Sequence, residues 1–380
     1  MRPSTRLAPR FALAVALLSG CYRGAQGGGA DGSGGGGDEG AEGPDTADSD
    51  AGGTGDGPAD ELPGPNTRLF RLTHAQWENT VRDLLRRDEP LGLSDSFRED
   101  AKAGPYEFDN AATGLEVDGP LWGQYQRAAV DVATLVTADP TMLAAILPSD
   151  PGDETERARE FIATFGGRAF RRPLADAEID AHLELYTAGR DLYDDQSGFT
   201  AGIRAVIEAL LQSPSFLYRV EASEDVDGDV IPLDGYEVAS RLSYLVWDSM
   251  PDDALFAAAD ADELRDAAQV EEHARRMLAD PRASAVIDRF HAVVFDVERY
   301  ETIAPNPAFY PDAPADLAEL AREEFRRFVQ HVVLDTQGGV TELLTTNETF
   351  ANDRLGALYG LDVASSEFER VELDPATRRG

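Results

Sequence analysis

From Leu69 onward the apolar residues of this chain recur at helical spacing, segment after segment, and no apolar–polar alternation persists for more than a few positions. That pattern dictates the class, because a side chain returns to the same helix face every three or four residues and to the same strand face every second one. Leu72, Trp77, Val81, Leu84 and Leu85 form the first stripe, which runs up to Arg86 and Arg87. It is opened by Thr73-His74-Ala75-Gln76, the Thr-x-x-Gln form of a capping box, and closed by Asp88-Glu89-Pro90. Gly92 to Gly119 reads as a long irregular segment holding Tyr106, Phe108, Asp109 and Asn110. Aromatics in such a loop either plug it onto the core or serve a site. Trp122 restarts a helical pattern through Val136. The expected fold is all-α, consecutive helical-bundle domains following a disordered linker.

Asp150-Pro151-Gly152-Asp153 reads as a boundary. Beyond it, Ala158, Phe161, Ile162, Phe165 and Phe170 mark a helix that stops at Arg171-Arg172-Pro173. A second helix carries Ile179, Leu183 and Tyr186 to about Arg190, and a third runs from Phe199 to Leu211 before Ser213-Pro214 breaks it. Three helices joined by short turns make a small bundle. Asp234-Gly235-Tyr236-Glu237 caps another helix, with Val238, Leu242, Leu245 and Val246 on one face. Further helices are expected over Pro251 to Ala259, over Gln269 to Ala279, and after Asp280-Pro281. Past a proline-broken loop from Ile303 to Pro314, Leu317 to Val332 marks a long helix, and Asn352 opens a last one that stops at Gly360.

The first 66 residues are different. Met1 to Arg10 holds three arginines and no acid, and Phe11 to Leu18 is an apolar run too short to span a bilayer, which together read as a signal peptide over residues 1–20. Leu18-Ser19-Gly20-Cys21 resembles the lipobox of bacterial lipoproteins, so Cys21, the chain's single cysteine, is the expected lipidation site and membrane anchor. By analogy with sorting rules, Tyr22 after that cysteine leans toward the outer membrane. Residues 21–66 are rich in Gly and Asp and nearly devoid of apolar side chains, so they are expected to form a disordered spacer.

A formal charge of -37 repels phosphate backbones, which makes nucleic acid a poor partner. With one cysteine there is no disulfide framework, no cysteine zinc site and no Cys-x-x-Cys-His haem motif in these residues. The histidines His74, His182, His273, His291 and His331 form no local metal pattern. His291 follows Phe290 on an apolar face, where a satisfied core histidine is the default. Glu323-Glu324 and Asp252-Asp253 are adjacent acids, but in so acidic a chain adjacency does not mark a catalytic pair. Asp225, Asp227 and Asp229 alternate as calcium ligands do, yet an EF-hand loop starting at Asp225 would need Gly at Val230 and Glu at Tyr236. A plain acidic turn is the simpler reading. Arg168, Arg171 and Arg172 form a basic knot that either holds an anion or complements a helix C-terminus and pairs with neighbouring acids. No Gly-x-Ser-x-Gly elbow or phosphate-binding glycine loop is present, so no catalytic residue is assigned.

Three stretches in order carry a resemblance. Leu69 to Leu85 with Tyr106-Glu107-Phe108-Asp109-Asn110 is the first, and Phe161 to Leu174 with Ser213-Pro214-Ser215-Phe216-Leu217-Tyr218-Arg219 the second. The third runs from Arg241-Leu242-Ser243-Tyr244-Leu245-Val246-Trp247 through Met250-Pro251-Asp252-Asp253, Met277 to Arg282 and Thr349-Phe350-Ala351-Asn352 to Tyr359-Gly360. They resemble successive domains of large exported planctomycete and myxobacterial proteins, the domains of unknown function numbered 1587, 1595 and 1592. The resemblance implies a helical domain over 67–149, a three-helix domain over 150–222, a helical domain over 233–363, and at 364–380 the start of a further domain. Members usually continue into domains 1588 and 1585, with a Cys-x-x-Cys-His motif like that of c-type cytochromes. The expectation is therefore an exported, lipid-anchored envelope protein, the front part of one associated with c-type haem in electron transfer or oxidation. The alternative is a non-catalytic surface module that holds an envelope protein or polysaccharide.

Overall fold

The structure is a computed structural model that describes residues 68–102, 108–110, 115–149, 152–196, 198–224 and 231–376. The signal segment, Cys21 and the spacer, Tyr106 with Glu107, the aspartates 225, 227 and 229, and residues 377–380 lie outside the described residues. Thr67 to Gly380 forms one compact unit.

Capping decides where most helices begin. A short strand β1 (Leu69–Arg71) leads to Thr73, whose hydroxyl accepts from the Gln76 amide at 3.1 Å while the Gln76 side chain accepts from the Thr73 amide at 3.2 Å, opening α1 (His74–Leu84). Asp118 caps α2 (Gly119–Ala138), Asp139 caps α3 (Pro140–Ile146), and Asp153 caps α4 (Glu154–Phe170). Then come α5 (Asp176–Gly189), α6 (Gly198–Gln212), the single turn α7 (Pro214–Leu217) and strand β2 (Tyr218–Val220). The capping box at Asp234 and Glu237 opens α8 (Gly235–Val246), and α9 (Asp253–Asp260), α10 (Ala267–Leu278) and α11 (Arg282–Val294) follow. The chain closes with α12 (Leu317–Gln330), a π-helical turn at His331–Asp335, α13 (Val340–Thr345), β3 (Glu348–Ala351), α14 (Asp353–Tyr359) and β4 (Glu369–Glu372).

The all-α expectation holds, with two small sheets added to it. β1 pairs antiparallel with β2, Phe70 opposite Arg219, and β3 pairs antiparallel with β4. The expected helix ends move by one to three residues, and α3, α7 and α13, all short, had no stripe long enough to announce them.

The cores cross the segment boundaries. One apolar cluster runs from Leu72 through α2, α4 and α6 to Tyr244 and Met250, with Trp77, Val132, Phe161 and Ile207 fully buried in it. The long helix α2 therefore packs directly on α6, and the first two segments share a single interior. A second cluster joins α8, α9 and α10 around Trp247, and two smaller ones line α12. No single helix among the described residues is long and apolar enough to cross a membrane.

Candidate functional site

The pairing of β1 with β2 puts Phe70 opposite Arg219, and the Arg219 guanidinium lies 5.0 Å from the centre of the Tyr244 ring on α8 and 5.2 Å from that of Phe70. One turn before Tyr244 on α8, Arg241 grips both oxygens of Glu221, and that bond raises its pKa. The Tyr244 hydroxyl is 2.8 Å from the Thr80 hydroxyl of α1, so a strand pair and two helices are fixed around one aromatic ring.

Just beyond α8, Asp248 adopts φ 51°, in the left-handed region, and is buried. Its carboxylate accepts from the Gln76 side chain at 3.0 Å and pairs with Arg289 of α11, while its carbonyl accepts from Asn79. Phe290, next to Arg289, stacks at 5.7 Å on Phe108 of the long loop, and Lys102 of that loop binds Glu298 at 2.8 Å. These residues enclose a cleft of about 620 Å³. Loop residues Asp109 and Asn110 also line it, as does His291, whose Nδ1 is 2.8 Å from the Ile287 carbonyl. The expected core histidine is thus satisfied by its own helix while its ring faces the cleft.

Charge in the cleft is largely neutralised internally. Arg241 with Glu221, Arg289 with Asp248 and Lys102 with Glu298 form three pairs. Arg219 is different: among the described residues its buried Nε has no hydrogen-bond partner and its guanidinium forms no ion pair. Burial pulls its pKa below the ordinary arginine range, opposed by Tyr244. A guanidinium keeps its charge through such a shift.

The other sequence candidates resolve into ordinary structure. Arg168 pairs with Asp253 and Arg172 with Glu178, as a basic helix end in an acidic chain should. Arg171 instead turns inward and donates to the Ser215, Phe216 and Tyr218 carbonyls. Asp252 caps α9 and takes Arg276, so the neighbouring acids Asp252 and Asp253 serve different partners. Likewise Glu323 pairs with Arg326 and Arg327, whereas Glu324 accepts from the Thr349 and Tyr359 hydroxyls at 2.5 Å, beside a second cavity of about 450 Å³.

His74 lies 3.2 Å from Asp100, and burial outweighs that acid to push its pKa down to about 4. The His182 Nδ1 lies 2.7 Å from the Glu178 carbonyl, His331 lies between Asp335 and Glu348 at 3.2 Å from each, and His273 reaches Arg276. Among the described residues no three His, Cys, Asp or Glu side chains are grouped to hold a metal.

What sequence reasoning missed is the convergence. In the sequence, Phe108 and Asn110, Arg219, and Arg241 with Tyr244 each mark a separate segment, and in the fold they form one wall of one cleft. Residues 71–138 match the family model described as protein of unknown function (DUF1587), residues 157–221 that of DUF1595, and residues 233–361 that of DUF1592. The chain belongs to the DUF1587–DUF1595–DUF1592 proteins. No curated protein and no solved structure matches it. Along the chain, the DUF1587 match supplies Gln76 and Phe108 lies within its span, the DUF1595 match supplies Arg219, and the DUF1592 match supplies Tyr244, Asp248 and Phe290.

Proposed function

We propose that this protein is an exported lipoprotein, held in the cell envelope through lipid on Cys21, whose helical body is a binding module with its ligand site in the cleft where the three segments meet. The observation that carries the ligand site is that convergence: a cleft of about 620 Å³ has the size of a small-molecule pocket, and its walls combine exposed apolar side chains with a few fixed polar ones. The anchor is supported by the signal-like segment and the lipobox-like Leu18 to Cys21.

Ligand-observed NMR with a set of small polar and amphiphilic fragments tests the cleft. Fragments should bind the full chain in detergent and lose binding in a variant carrying Leu245→Glu and Phe290→Glu, two half-exposed to exposed positions whose replacement leaves the cores intact. Hits that persist in that variant, or no hits at all, would remove the cleft as a site. Cys21→Ala should shift the protein from the membrane to the soluble fraction, and its continued pelleting with membranes would refute the anchor.

A second reading, the front part of a c-type-haem-associated redox protein, rests on the resemblance that the three stretches carry in order in the sequence. It expects a haem absorption spectrum in the protein isolated from its native host, and a colourless preparation would count against it.

A further inference from the structure

Arg219 brings to the cleft a charge that no described residue pairs with. Among the charged groups near enough to act on it, Glu221 is opposed by Arg171 and Arg241, and both Glu221 oxygens are already taken by Arg241. Its Nε is buried with no hydrogen-bond partner among the described residues, and the Phe70 and Tyr244 rings cover the guanidinium without offering it an acceptor. Ring faces compensate a desolvated cation only in part. What the planar guanidinium lacks is a group that accepts two parallel N–H bonds, and a carboxylate has that geometry.

The rim of the cleft has the opposite character. Leu245 is 72% exposed and Phe290 51% exposed, and Val286 and Val293 of α11 line the same space. Apolar surface this open, beside a cation with no counter-ion among the described residues, matches a ligand with two ends. The number of charges also limits the choice. Arg289, Arg241 and Lys102 are paired, so a second anionic group would find its cations occupied, and the chain's charge of -37 disfavours a polyanion at longer range.

We propose, resting on the reading of the cleft as the ligand site, that it takes an organic monocarboxylate with an apolar body. The carboxylate accepts from the Arg219 guanidinium, and the body lies against Phe290 and Leu245. Arg219 is then the residue that selects charge, and Phe290 the one that selects shape.

Titration calorimetry of the full chain in detergent with phenylacetate and with its neutral isostere phenylacetamide separates the two ends. The acid should bind at least about tenfold more tightly than the amide, the margin of one charge-assisted hydrogen-bonded contact. Arg219→Gln should abolish that preference, while Phe290→Ala should weaken acid and amide alike. The acid–amide comparison uses the unaltered chain, so a variant that fails to fold leaves the test intact. Equal affinity for acid and amide, or a preference that survives Arg219→Gln, would overturn the carboxylate site and leave the cleft standing. The carboxylate site is overturned in the same way if neither compound binds while other fragments do. If neither binds and no fragment reaches the cleft, the ligand-site reading falls and takes this proposal with it.

Discussion

Asp248 joins the first segment to the third, and its replacement has a cost that can be worked out part by part. Alanine removes the acceptor of the buried Gln76 amide, which at 3.0 Å is a direct bond, and an unsatisfied buried amide costs about 1–3 kcal/mol. The pair with Arg289 contributes about 0–1 kcal/mol, because the arginine side chain is 40% exposed. The backbone at φ 51° adds about 1 kcal/mol for alanine, since aspartate tolerates the left-handed region better. The total is about 3 kcal/mol. Glycine loses the same side-chain partners but adopts that backbone freely, for a net cost of about 2 kcal/mol. Asparagine keeps an acceptor and the backbone preference, and should cost about 1 kcal/mol or less. The expected order of loss is therefore Asp248→Asn, then Asp248→Gly, then Asp248→Ala. Urea unfolding of the full chain followed by tryptophan fluorescence reads it, because Trp77 and Trp247 are both buried. Equal losses for glycine and alanine would refute the backbone contribution. An asparagine variant as unstable as alanine would show that charge, rather than the hydrogen bond, holds the junction.

Two further outcomes are expected. The folded His74 ring takes up a proton only near pH 4, against an ordinary value of 6.5, so the unfolded state binds the proton first as pH falls. Stability should be full above about pH 6.5, decline toward about pH 4 and level off below, with a loss nearer 1–2 kcal/mol than the full-shift value of about 3 once solvent screening is allowed for. Unfolding midpoints measured across that range should flatten in His74→Gln, and an unchanged slope would assign the pH dependence to another group. A methyl group on Gly202 of α6 would lie 2.4 Å from the Tyr186 ring and 2.8 Å from the Tyr186 carbonyl, so Gly202→Ala should destabilise by about 1–3 kcal/mol. A melting temperature unchanged by that substitution would mean that α5 and α6 can part without cost.

The helices were legible because their signals are local. Thr73 with Gln76, Asp234 with Glu237, and Asn352 followed by Gly360 at φ 71° each fix a helix end with residues a few positions apart. The sheets were not legible, since strands of three or four residues exist only through partners elsewhere in the chain, and β1 meets β2 across about 150 residues. The shared interior of the first two segments was hidden for a similar reason: the stripe on α2 says that something covers Ala129 and Val132, but not that α6 does. Nor does the run around Arg219 reveal which rings will enclose it. The basic knot was half legible, because Arg168 and Arg172 find nearby acids as composition suggests, while the carbonyls that hold Arg171 come from a tight turn more than forty residues away.

The pairing of β1 with β2 also sets a schedule for assembly. Synthesis proceeds from the N-terminus at about 5–20 residues per second, so β1 waits roughly 7–30 s for Tyr218–Val220 to be made. For most of that interval Trp77 and its neighbours lack the α6 residues of their common interior. The first segment cannot mature ahead of the second, and the wall that carries Arg219 is completed only when α8 brings Tyr244 to it. A ribosome that releases the chain vectorially thus delivers the cleft only after all three segments have contributed to it, once Glu298 has emerged.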